Sequence, residues 1–79
     1  MYFVYSIQSE ASPDHYYVGV TTNIDQRIQE HNSGKSIHTN KFAPWRLLVY
    51  VAFTDKSKAQ KFERYLKTGS GRGFCLRHF

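Results

Sequence analysis

Tyr2-Phe3-Val4-Tyr5-Ser6-Ile7-Gln8 and Tyr16-Tyr17-Val18-Gly19-Val20-Thr21 are the two stretches that decide the fold. Both are rich in aromatic and β-branched residues, which suit a pleated strand. Between them, Pro13-Asp14 is a turn signal. A connector this short predicts an antiparallel hairpin. Alternation places Phe3, Tyr5 and Ile7 on one face of the first strand and Tyr2, Val4 and Ser6 on the other. In the second strand Tyr17, Gly19 and Thr21 share a face. A glycine inside a strand marks either a bulge or a close approach, and here it leaves room beside the Tyr17 phenol.

Downstream, Asn23 is a good N-cap and Gln26 follows three residues later, as in a capping box. The helix is expected from Ile24 to about Ser33, ending at Gly34, with Ile24 and Ile28 facing inward. Residues 34–45 read as loop. Residues 46–53, Arg-Leu-Leu-Val-Tyr-Val-Ala-Phe, are almost continuously apolar, which suits a strand buried on both faces. Asp55 can cap a second helix from Lys56 to about Lys67, with Ala59, Phe62 and Leu66 as its apolar stripe. Gly69-Ser70-Gly71 ends it. Residues 72–79 are expected to form a short helix packing Phe74, Leu76 and Phe79. The order β-β-α-β-α plus a short tail implies an α+β domain with a small sheet.

The 79 residues suffice for one domain, 1–79. The single cysteine, Cys75, cannot form an internal disulfide. No run reads as a signal peptide or a membrane span, so a cytoplasmic location is expected. The net charge of +5 suits a polyanionic partner. The acidic residues are Glu10, Asp14, Asp25, Glu30, Asp55 and Glu63, with no D-x-D or E-x-E pair among them. A two-metal nuclease wants several carboxylates around ions about 3.5–4 Å apart, and this chain is poorly supplied for that design. A one-metal site with one carboxylate remains open.

Arg27 and His31 are four residues apart and share a helix face. Arginine offers a donor fork that matches phosphate, and histidine exchanges a proton near neutral pH. The plain alternative is a solvated helix face. Glu63 lies at the edge of the second helix's apolar stripe, where a carboxylate needs a partner or a metal. The plain alternative is an ion pair with Lys61, Arg64 or Lys67. Phenols, an arginine, a histidine and one carboxylate can together supply water activation and charge stabilisation for phosphodiester cleavage.

These segments resemble the GIY-YIG nuclease superfamily, and in particular its small stand-alone bacterial members. Phe3-Val4-Tyr5 is similar to the Gly-Ile-Tyr tripeptide and Tyr17-Val18-Gly19 to Tyr-Ile-Gly. Arg27-Ile-Gln-Glu-His31-Asn-Ser-Gly34 resembles the Arg-x-x-x-His-Asn-x-Gly segment. Glu63 falls at the metal-binding glutamate, and Thr68-Gly69-Ser70-Gly71-Arg72 resembles the stand-alone group. Phe3 departs from the first glycine, and no asparagine follows Asn40.

The resemblance implies a three-stranded antiparallel sheet flanked by helices. It implies a metal-dependent DNA endonuclease of repair or recombination, more structure- than sequence-specific. Glu63 would hold Mg²⁺, with Mn²⁺ able to substitute. Tyr5 or Tyr17 would serve as, or position, the general base. His31 would accept or relay a tyrosine proton, and Arg27 would stabilise the phosphate. Lys35, His38, Thr39, Lys41, Lys67 and Arg72 are placed to touch DNA. A repair or recombination protein is a further expected partner. The alternative is a non-catalytic nucleic-acid-binding or interaction module that keeps the fold.

Overall fold

The computed structural model describes residues 1–35 and 39–68. In chain order they form β1 (Tyr2–Ser9), β2 (Tyr16–Thr21), α1 (Ile24–Asn32), a 3-10 turn (Asn40–Phe42), β3 (Trp45–Phe53) and α2 (Lys56–Leu66). This is the expected α+β order. The anticipated tail helix over 72–79 lies outside the described residues. Among the described residues no helix is long and apolar enough to cross a membrane.

Local chemistry sets the helix ends. The Asn23 side chain accepts from the Gln26 backbone N–H at 3.1 Å, which satisfies one orphan donor of α1. Asp55 does the same for Ser57 at 2.8 Å at the start of α2. Gly34 follows α1 at φ 82°, a left-handed conformation that side chains rarely adopt.

The three strands form one antiparallel sheet in the order β2-β1-β3. β1 is therefore the central strand, and Val4, Tyr5, Ser6 and Ile7 are all buried. The apolar run at 46–53 suits a strand covered on both faces. It instead lies at a sheet edge, with Leu47 and Leu48 each 37% exposed and Tyr50 52% exposed. The register explains its continuous apolar character. Ser6 pairs with Val49 and Ile7 with Leu47, so Leu48 is an extra residue and the alternation resets at a bulge. A bulged edge strand and a doubly buried one look alike in sequence.

The two faces of the sheet carry different layers. Val4 packs with Ala59 and Leu66 of α2, joined by Val18, Val20 and Phe53. Tyr5, Ile7 and Trp45 pack on the other face with Tyr17, Ile24 and Ile28, beneath α1. Asn32, at the end of α1, clips this layer to β3. Its side chain accepts from the Trp45 backbone N–H and donates to the Trp45 carbonyl at 3.1 Å.

Gly19 pairs directly with Tyr5 across β1 and β2. A Cβ there would stand 2.5 Å from the Tyr5 hydroxyl oxygen and 2.8 Å from its Cζ. The glycine is the space in which the buried phenol sits. Gly19→Ala is expected to lower stability by about 1–3 kcal/mol through overpacking. Urea unfolding checks this, and a variant as stable as the parent would mean the Tyr5 ring is not held against Gly19.

Candidate active site

Tyr5 sits on the central strand at 1% exposure, facing α1. Two residues one helical turn apart on α1 reach its hydroxyl. Tyr5 Oη and His31 Nε2 are 2.8 Å apart, and Arg27 Nε donates to Tyr5 Oη at 3.3 Å. His31 is fully buried, and its Nδ1 lies 2.6 Å from the Thr39 hydroxyl.

Donor strength bears on the proton positions. Arg27 occupies one lone pair of the phenol oxygen and makes that phenol a better donor. An Nε2–H aimed at the same oxygen would crowd a second positive dipole against the guanidinium. This favours a phenol that donates to Nε2, while the roles at Nδ1 and the Thr39 hydroxyl are set by the ring tautomer. Burial holds the Tyr5 hydroxyl above its ordinary pKa, opposed in part by Arg27. Burial also holds His31 below the usual imidazole value, with the Arg27 charge acting the same way.

Arg27 keeps its charge through bonds to Glu30 and to Tyr5. Its Nη1 meets Glu30 Oε1 at 3.0 Å, with both side chains about one-third exposed at 33% and 31%. Nη2 makes no hydrogen bond among the described residues and remains available to an anion.

Tyr17 lines the same face. Its ring centroid is 5.1 Å from that of His31 and 6.4 Å from that of Tyr5. Unlike Tyr5 it is only half-buried, and its hydroxyl makes no hydrogen bond among the described residues. β2 is the sheet edge here, and Lys67 follows directly on α2, which packs on the other face. Lys67 Nζ stands 5.8 Å from the Tyr17 ring centroid and 3.4 Å from Glu63 Oε2. So Tyr5, Tyr17, Arg27 and His31 gather directly, and Glu63 joins them through Lys67.

The donor set bears on a metal. No group of three or more His, Cys, Asp or Glu side chains gathers among the described residues. Glu63 offers one carboxylate, 22% exposed, whose present partner is a flexible ammonium. That fits a hard divalent cation held by one carboxylate, with water and substrate phosphate completing its shell.

The residues expected at DNA divide. Lys35, Lys41 and Lys67 are exposed. His38 and Arg72 lie outside the described residues. Thr39 corrects its reading as a DNA contact. It is 1% exposed and its hydroxyl is turned to His31. The Trp45 indole N–H, donating to the Thr39 carbonyl at 2.8 Å, holds it there. The supporting roles of Thr39, Trp45 and Asn32 have no local signal in the sequence beyond the Asn that follows His31.

Because folded His31 resists protonation, the unfolded chain binds more protons as pH drops below about 6.5. That part of the stability is present above the ordinary value and is lost as pH falls through it. Unfolding free energies of the parent should therefore decline from pH 7 to pH 5 more steeply than those of His31→Gln. Parallel curves would refute the buried neutral imidazole.

Comparisons with known proteins bear on this arrangement. Residues 1–74 match the family model described as the GIY-YIG catalytic domain. The UPF0213 protein BH0048 of Halalkalibacterium halodurans is 36% identical over 72 residues, covering 90% of this chain and 74% of that protein. The structure-specific endonuclease subunit SLX1 of Scheffersomyces stipitis is 38% identical over 69 residues, covering 78% of this chain. The chain spans only 20% of that protein and 17% of the SLX1 homolog of Giardia intestinalis. The solution NMR structure of the UPF0213 protein BH0048 from Bacillus halodurans matches with a TM-score of 0.57 at 30% identity, over 98% of this chain and 84% of that one. A family match over residues 1–74, on a fold that gathers the two tyrosines its motif supplies, means that the chain belongs to the GIY-YIG catalytic-domain family.

Proposed function

We propose that the chain is a metal-dependent endonuclease that hydrolyses DNA phosphodiesters, selecting DNA structure over sequence. The observation that carries the reading is the Tyr5 hydroxyl held between His31 Nε2 at 2.8 Å and Arg27 Nε at 3.3 Å. A phenol acts as a base near neutral pH only if its own proton has a destination. His31 Nε2 is that destination, and Arg27 stabilises the phenolate left behind.

Acceptance of a proton and access to water fall to different tyrosines. Tyr5 has the imidazole behind it but is buried, whereas Tyr17 is open at the edge of β2. The reading that uses both has Tyr17 orient the water and the Tyr5–His31 pair receive the proton. The free Nη2 of Arg27 would bind the phosphate. Glu63 would hold a divalent ion, Mg²⁺ or Mn²⁺, which when bound supplies Lewis-acid stabilisation of charge at phosphorus. Lys67 would then exchange Glu63 for the DNA backbone.

Structure selectivity draws support from the SLX1 relatives, whose name describes structure-specific endonuclease subunits. The word subunit in that name also motivates a protein partner. Exposed Lys35, Lys41 and Lys67 would grip phosphates, and such contacts position a duplex without reading its bases.

The test is cleavage of labelled duplex, single-stranded, nicked, flapped and four-way-branched DNA, with Mg²⁺, Mn²⁺ or EDTA. Cutting should require the ion, favour a nicked or branched form and vanish in Glu63→Ala. Tyr5→Phe should lose about 100-fold in turnover while staying folded, the usual scale for a lost general base. Metal-independent cutting, or full turnover in Tyr5→Phe, would sink the mechanism. A folded parent that binds every DNA and cuts none would move the reading to a non-catalytic binding module.

Binding itself should weaken steeply with salt, through counterion release. Removing one phosphate contact by Lys67→Ala should reduce the slope of log K against log salt by about 0.9. An unchanged slope would remove Lys67 from the DNA surface.

A further inference from the structure

The buried loop residue beneath His31 is where the structure says most that the family match does not. Thr39 is anchored through its backbone carbonyl. Its carbonyl accepts from the Trp45 indole at 2.8 Å and from the Phe42 backbone N–H at 3.1 Å. Trp45 is itself 4% exposed and fixed to Asn32 through its backbone. The Thr39 hydroxyl thus has little freedom, and it stands 2.6 Å from His31 Nδ1.

We propose that Thr39 is a positioning residue whose hydroxyl accepts the His31 Nδ1 proton and so keeps Nε2 as the acceptor for the Tyr5 phenol. An imidazole has two neutral tautomers, and the hydrogen bond at one nitrogen selects the state of the other. With Nδ1 protonated, Nε2 offers a lone pair to the phenol. With Nε2 protonated, the phenol proton has no base to go to, and the ring presents a donor to an oxygen already taken by Arg27. Thr39 also fixes ring orientation, because Nδ1 and Nε2 are bonded on opposite sides, to the loop and to β1. It never touches the reacting atoms.

The rate consequence rests on the nuclease reading, whereas the tautomer does not. The experiment therefore has two arms, both on the full chain. Long-range ¹⁵N–¹H NMR of the His31 ring, without DNA or metal, reads the tautomer directly. The parent should carry its proton on Nδ1. Thr39→Val keeps the shape but removes the acceptor, and should raise the Nε2-protonated fraction. Its cleavage rate should fall at least about tenfold, the scale on which residues that orient a histidine act. Thr39→Ser restores the hydroxyl and should recover both readouts.

A parent ring protonated on Nε2 would overturn the proposal. So would a folded Thr39→Val with the parent's tautomer and cleavage rate. If Thr39→Val does not fold, the parent's tautomer and the Thr39→Ser comparison still decide, since loss of the Nδ1 tautomer in Thr39→Ser contradicts hydroxyl control. If the parent cuts no DNA, the nuclease reading fails, while the tautomer arm still returns its answer.

Discussion

The structure turns on one buried hydrogen bond, that between Tyr5 Oη and His31 Nε2 at 2.8 Å. It joins the central strand to α1, and its demands explain several otherwise separate features. The phenol needs space, so its partner across the hairpin is Gly19. The imidazole needs a fixed ring plane, and the Thr39 hydroxyl meets its Nδ1. The loop needs an anchor, which Trp45 and Asn32 provide. Removing Tyr5 or Thr39 takes a hydrogen-bond partner from the buried His31 ring, which is expensive in a low-dielectric interior.

The pair is tuned toward neutrality at rest. Burial pushes the Tyr5 hydroxyl up and His31 down, so each stays in its uncharged form across the middle of the pH range. A charged phenolate–imidazolium pair would form only when the proton moves. The Arg27 guanidinium beside the phenol favours that move at one end and opposes it at the other, since it also disfavours a charged His31. Its bond to Glu30 puts a negative charge nearby that acts in the opposite sense on both groups. A second negative charge placed on Arg27 would act as Glu30 does, favouring the imidazolium and opposing the phenolate.

Local chemistry made much of this legible from sequence. Asn23 and Asp55 begin helices where caps belong, and Gly34 ends one where only a left-handed residue fits. The four-residue spacing of Arg27 and His31 correctly placed both on one face. The sheet order was not legible, because the centre of a sheet is settled by pairing between distant segments. The run from 46 to 53 is more apolar than β1, yet β1 lies in the middle. Thr39 was misread for a related reason. In sequence it sits between basic residues in a loop, and only the return of that loop to Trp45 shows that its hydroxyl points inward.

The position of Glu63 completes the physical logic. Tyr5 and Tyr17 lie on one face of the sheet, while α2 packs on the other. A carboxylate on α2 can approach them only where the sheet stops, and β2 is that edge. Lys67, between Glu63 and the Tyr17 ring, marks the passage from one face to the other. Placing the carboxylate there separates two electrostatic tasks. A negative charge close to Tyr5 would oppose loss of its proton, as the nearby Glu30 does. Across the edge, Glu63 can attract a cation or a cationic side chain away from the phenol–imidazole pair, which keeps the desolvation that tunes it.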